Sequence, residues 1–114
     1  MYRELEIWKE SINLLKEVYL ISDKLPKSEE YNIKSQLKRA VVSVPLNIAE
    51  GKCRSSAKDF AHFLNIAAAS LNEVDAVLYI CEELMYIKNI DDIHRNIKIL
   101  GKRISALRNK LLKN

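Results

Sequence analysis

Between residues 57 and 87, Phe60, Leu64, Ala67, Leu71, Val74, Leu78, Cys81 and Met85 follow one another at alternating spacings of four and three, without a break. Apolar side chains repeating in this way form one seam along an α-helix, and no strand can gather them on a face. A second line, Phe63, Ile66, Val77, Ile80, Leu84 and Ile87, flanks the seam and is interrupted by Ser70 and Glu73. At 1.5 Å per residue such a helix is roughly 45 Å long. Two adjacent lines make an apolar face broader than one neighbouring helix needs. The rest of the chain must supply partners for it.

Three further periodic segments do so. Over about residues 5–25, Trp8, Ile12, Leu15 and Tyr19 make one line, with Ile7, Leu14, Val18, Ile21 and Leu25 beside it. Pro26 ends this helix, because the residue before a proline is pushed out of helical geometry. Ser28 is then the expected N-cap of a second helix, with Glu29 and Glu30 in its first turn. Ile33, Leu37, Val41, Val44 and Ile48 form its inner line, and Gly51 is the expected left-handed stop. Ser56 with Asp59 is a capping-box variant that starts the long helix. Asn89 with Asp92 repeats that logic for a fourth, whose inner line is Ile93, Ile97, Leu100, Ile104, Leu107 and Leu111. Gly101 inside it costs about 1 kcal/mol relative to alanine, so a close approach is expected there.

With two prolines and two glycines in 114 residues, turns are scarce and elements long. No strand, domain linker or low-complexity tract is evident. The chain therefore reads as all-α, one domain over residues 1–114, an antiparallel up-down-up-down four-helix bundle.

The segment SVPLNIAEGKCRSSAKDF, residues 43–60, sets polar residues among the apolar ones. Pro45 has no N–H to bond the Val41 carbonyl, so an irregular turn or kink is expected. Gln36, Ser43, Asn47, Glu50 and Arg54 share one stripe, with Arg39 beside Ser43 and Glu50 placed to pair with Arg54. This stripe is either a solvated face or a polar seam at a subunit contact or central channel. The wide apolar faces of the first and third helices favour assembly, with Trp8, Tyr19 and the line-breaking Glu73 as further interface candidates.

Charge is unevenly spread. Residues 93–114 carry Arg95, Lys98, Lys102, Arg103, Arg108, Lys110 and Lys113 and no acid, whereas residues 1–92 are net acidic. Such a face can neutralise phosphates without reading sequence, and repetition around a ring would multiply weak contacts. The plainer reading is a solvated helix kept soluble by its cations. No aromatic residue interleaves with the basic stretch, so base stacking on it is not expected. Lys34, Lys38 and Arg39 begin a second basic cluster, diluted by Glu50 and Asp59.

Other chemistry finds little support. Asp59-Phe-Ala-His62 and Asp91-Asp92-Ile-His94 suggest metal ligation, but both lie in first turns and no matched glutamates face inward, so no metal or cofactor is expected. There is no Gly-rich phosphate loop and no nucleophile motif, so no enzyme is expected. Cys81 sits on the apolar seam and reads as core. Cys53 lies in a turn without an obvious base. Unpaired cysteines, the charged start MYRELEIWKE and the lack of an uninterrupted apolar run of ~18 residues predict a cytoplasmic protein with no membrane contact.

At this point the chain resembles a known family. Leu5-Glu6-Ile7-Trp8-Lys9, Leu25-Pro26-Lys27-Ser28-Glu29-Glu30-Tyr31, the run from Gln36 to Pro45 and Asn47-Ile48-Ala49-Glu50-Gly51 look like the small four-helix-bundle proteins encoded by intervening sequences in bacterial 23S ribosomal RNA genes. The similarity resumes at Phe60, Phe63-Leu64-Asn65-Ile66-Ala67 and Ser70-Leu71-Asn72-Glu73-Val74, covering about residues 2–87. The resemblance implies a subunit that assembles as a ring, typically a homopentamer. A related branch, the accessory variability proteins of diversity-generating retroelements, is similar in shape and basic character and binds nucleic acid and a reverse transcriptase. Two functions follow as expectations: a homo-oligomer offering basic surface to RNA or DNA, or a protein-interaction scaffold for an RNA-handling enzyme such as a reverse transcriptase.

Overall fold

Four helices, α1 (Glu6–Ser22), α2 (Ile33–Lys52), α3 (Ala57–Glu83) and α4 (Asp91–Leu111), make up the computed structural model, which describes residues 1–113. Single 3-10 turns, Tyr2–Glu4 and Lys27–Glu29, precede α1 and α2, and no strand occurs among the described residues. Short links set successive helices antiparallel in a body 47 × 24 × 20 Å. Each helix packs on the next and α4 closes on α1, while the diagonal pairs, α1 with α3 and α2 with α4, lie farther apart. This is the expected four-helix bundle.

The core follows the predicted lines. From α3, Phe60, Leu64, Ala67, Leu71, Val74, Leu78 and Cys81 are buried; Leu37, Val41, Val44 and Ile48 of α2 and Ile93, Ile97, Leu100 and Ile104 of α4 meet them. In α1 the inner line is Ile7, Leu14 and Val18, while Trp8, Ile12 and Leu15 are only half-buried and Tyr19 is exposed. Two serines join that core. Ser11 and Ser22 are fully buried and donate to the carbonyls of Trp8 (2.6 Å) and Tyr19 (2.8 Å), the local bond that lets a hydroxyl enter an apolar interior. One stretch of α3 reaches a mean hydropathy of 1.3 over 18 residues, enough by length and composition to cross a membrane. A core helix flanked by two others shares that property.

The helix ends depart from expectation. Ser28 caps nothing: it lies in the Lys27–Glu29 turn, and α2 begins four residues later, after Asn32. The cause is Glu29, whose carboxylate accepts from Asn32 Nδ2 at 3.0 Å and from Tyr86 Oη at 2.8 Å and is thereby drawn into the loop. At the end of α1, helix stops at Ser22, before Pro26, and Leu25 turns inward to anchor the link. The expected irregular turn at Pro45 is absent, since α2 is α-helical from Ile33 to Lys52 with Pro45 buried inside it. Asn47 Nδ2 donates to the Ser43 carbonyl at 2.8 Å, a side-chain bond in the turn that Pro45 weakens.

Gly51 is not a stop. It lies within helical α2, at ordinary negative φ, and a Cβ on it would fall 2.8 Å from Phe60 Cδ1 and 2.9 Å from Phe63 Cβ. The glycine lets the end of α2 lie against the start of α3. The predicted Ser56 cap is present, its Oγ accepting from the Asp59 N–H at 3.0 Å. Asn89 does not cap α4. It takes a left-handed φ of 54°, and the helix starts after Ile90 with Asp91 and Asp92 in its first turn, where the dipole favours them.

Helix α3 ends at Glu83, four residues short of the predicted limit, in a left-handed closure. The Tyr86 N–H bonds the Cys81 carbonyl and the Met85 N–H the Glu82 carbonyl, both at 2.9 Å, which is the Schellman pattern. Its left-handed residue is Met85 (φ 63°), 88% exposed, where glycine is usual. Because that side chain packs on little, Met85→Gly is expected to stabilise the fold by about 0.5–1 kcal/mol. A raised midpoint in urea unfolding checks it.

The Tyr86–Glu29 bond ties this closure to the α1–α2 link. It holds the Glu29 carboxyl below its ordinary value of 4.5, with smaller help from Asn32 and the Ile33 backbone against a partly opposing burial effect. The same bond, then burial, raises Tyr86 above 10.0. A lowered acid stabilises above its unfolded pKa and loses that contribution as pH falls through the folded value. A raised phenol contributes below its unfolded pKa and loses it as pH rises. Stability should therefore show a neutral plateau with an acid and an alkaline shoulder. Tyr86→Phe should flatten both, as followed by thermal unfolding against pH.

Candidate nucleic-acid interface

Because α4 buries Ile93, Ile97, Leu100 and Ile104, its cations are turned outward, and they divide between two edges. On the α1 edge Arg103 is paired with Glu10. In the first turn Arg95 is paired with Asp92 at 3.0 Å. Arg108 donates to Asn65 Oδ1 at 2.6 Å and Asn109 Oδ1 at 3.1 Å, which leaves its Nε buried without a partner. Lys98, Lys102 and Lys110 are exposed, and no ion pair engages them among the described residues. Lys113 is exposed just beyond the helix.

Lys98 and Lys102 stand on the other edge, facing α3. There they line a groove of about 590 Å³ with Gly101, Ser105 and Asn109 from α4 and Asn72 and Asp75 from α3. Above it, Asp75 Oδ1 lies 2.7 Å from His94 Nδ1, and the His94 ring meets Tyr79 edge-on with centroids 5.1 Å apart. Burial, then the charges of Asp75, Glu82 and Asp91, raise the Tyr79 phenol above its ordinary value. This Asp–His bridge between helices is absent from the sequence reading. The only signal for it is Asp75 facing α4 from a heptad flank.

The second basic cluster is not brought to the first. Lys34 pairs with Glu30 at 3.1 Å, Lys38 sits 5.0 Å over the Tyr19 ring, and Arg39 is exposed on α2, diagonal to α4.

The α2 stripe is a seam inside the subunit along part of its length. Ser43 and Ser70 share a 2.7 Å hydroxyl bond, Asn47 Nδ2 donates to Ser43 Oγ at 2.9 Å, and Gln36 Nε2 donates to Glu73 Oε2 at 3.4 Å. Glu50 and Arg54 pair at 3.0 Å as expected, and the Arg54 guanidinium lies 4.7 Å over Phe63. Glu73 is exposed. Trp8 packs on the core with its ring edge-on to Tyr2 at 5.5 Å. Beside the seam, Tyr19, Val42 and Leu46 line a shallow apolar trough in which Leu46 is 62% exposed.

No group of three or more His, Cys, Asp or Glu side chains could hold a metal ion among the described residues. Cys81 is buried, and burial followed by the Glu29 charge pushes its thiol up, away from a reactive thiolate. Cys53 is exposed.

A profile of the 23S rRNA-intervening sequence protein family matches residues 3–106. The chain belongs to that family. No curated protein matches it. Among solved structures, a protein of unknown function from the S23 ribosomal protein family of Bacteroides thetaiotaomicron superposes with a TM-score of 0.82 at 21% identity, covering 90% of this chain and 95% of that one. At that identity the similarity establishes the fold alone. The match to the 23S rRNA-intervening sequence family takes in α1, α2, α3 and most of α4, including Lys98 and Lys102 on the groove.

Proposed function

We propose that this 23S rRNA-intervening sequence family member is a non-enzymatic, self-associating helical subunit that offers basic surface to RNA or DNA. The observation that carries the reading is α4. Its cations face outward, no acid interrupts them after Asp92, and Lys98, Lys102 and Lys110 are exposed without an ion pair among the described residues. Copies arranged in a ring, as a homopentamer, would repeat this surface and convert weak phosphate contacts into avidity. The Tyr19–Val42–Leu46 trough beside the polar seam is the surface through which copies would meet.

The test is fluorescence anisotropy with mixed RNA and DNA at low salt, repeated as salt is raised. Replacing Arg95, Lys98, Lys102 and Arg103 by glutamine should weaken binding and flatten the salt slope, most of the change coming from the two lysines. Failure of the wild-type protein to bind either nucleic acid at low salt defeats the reading.

One observation favours a second role, as a scaffold for an RNA-handling enzyme such as a reverse transcriptase. Ile80 and Leu84 are each 48% exposed beside Met85 at one end of α3, an apolar end that basic charge does not explain.

A further inference from the structure

We infer that the α3/α4 groove is the seat of a single strand of RNA, laid along α4 across Gly101. This rests on the nucleic-acid reading above and narrows it to one site and one ligand.

Gly101 is the first support. Glycine weakens a helix interior, yet a Cβ at 101 would meet only Leu71 Cδ2, at 3.6 Å, an ordinary contact. Packing within the chain does not require glycine there, in contrast to Gly51. What the missing side chain does is lower the floor of the groove.

The rim is the second. Lys98 and Lys102 stand one turn apart, about 6 Å of helix rise, comparable with the separation of neighbouring phosphates on an extended strand. Asn72, Ser105 and Asn109 line the same groove with groups that both donate and accept. Those suit the 2′-hydroxyls and unpaired base edges of RNA, which DNA or a duplex lacks or conceals. The one acid on the rim, Asp75, is engaged by His94 at 2.7 Å. No aromatic side chain lines the groove, so base stacking in it is not expected and the strand is held through its phosphates and 2′-hydroxyls.

The experiment compares an oligouridine RNA, an oligothymidine DNA of equal length and an RNA duplex, by anisotropy, on wild type, Gly101→Leu, Lys98→Gln/Lys102→Gln and the α1 control Lys16→Gln. Gly101→Leu keeps every charge and fills the floor, so oligouridine binding should be lost while circular dichroism shows the helices retained. The double lysine variant, which spares the floor, should flatten the single-strand salt slope by about 1.4, two contacts at roughly 0.7 each. Lys16→Gln should bind as wild type does. Unchanged oligouridine affinity in both groove variants overturns the site and leaves the broader reading standing. Equal or tighter binding of the DNA or the duplex overturns the ligand. No binding of any nucleic acid by wild type removes the broader reading itself.

Discussion

Gly51→Val is expected to destabilise the bundle by about 2–3 kcal/mol, because the first added carbon has nowhere to go. Its neighbours would be Phe60 Cδ1 at 2.8 Å, Phe63 Cβ at 2.9 Å and the Phe60 carbonyl oxygen at 3.2 Å. The last two are fixed by the α3 backbone and cannot rotate aside, so α2 and α3 must separate where the turn between them is tight. Gly51→Ala should show the same sign at smaller size, since the gain in helix propensity, up to about 1 kcal/mol, offsets part of the clash. Gly101→Ala provides the contrast: its Cβ makes one ordinary contact, so stability should rise by as much as about 1 kcal/mol. Urea unfolding of the three variants decides. Matching signs at 51 and 101 would mean that neither glycine is there for the reason given.

Leu46→Glu is expected to abolish self-association while leaving the fold intact. Leu46 is 62% exposed in the single subunit, so a charge there costs the isolated bundle little, on the order of 0.5 kcal/mol. Against a second copy the same charge would be desolvated beside Tyr19 and Val42, a cost that Lys38, over the Tyr19 ring, and Arg39, both lining the trough, offset only in part. Light scattering after size exclusion should show the assembled species replaced by single chains of 13.2 kDa. An unchanged assembly mass would move the contact to another face. Wild type running at 13.2 kDa would remove self-association altogether. If assembly supplies avidity, Leu46→Glu should also weaken nucleic-acid binding without touching a single cation.

How legible the molecule is in its sequence depends on the kind of residue. The lines through Leu64 and Leu78, Val41 and Val44, and Ile97 and Ile104 all end in the core, because helical periodicity is a property of the backbone that tertiary packing exploits. The α1 lines were less decided. Trp8 and Tyr19 share a periodic line that points to the rim, and the serines that do enter the core carry no apolar signal. Helix ends were least legible. Ser28, Gly51 and Asn89 are each good local punctuation, but Glu29 is captured by Tyr86 from 57 residues away, and Gly51 answers to Phe60 and Phe63 on another helix. Capping preferences of about 1 kcal/mol are easily overruled by such contacts. The basic character of α4 is plain in its composition, whereas the groove depends on where α3 lies and on Asp75 finding His94. Only the assembled bundle shows it.

The closing of α4 on α1 differs in kind from every other helix pairing in the bundle, because no loop joins those two. Loosening one from the other requires no strain in a connecting segment, so partial unfolding should begin by parting that seam, across which Arg103 reaches Glu10. Helices α2 and α3, held together by a short turn, a tight glycine contact and a shared hydroxyl bond, would then be the last to exchange their amide hydrogens with solvent. The first and last helices, and with them the cationic edge of α4, would then be the first to exchange.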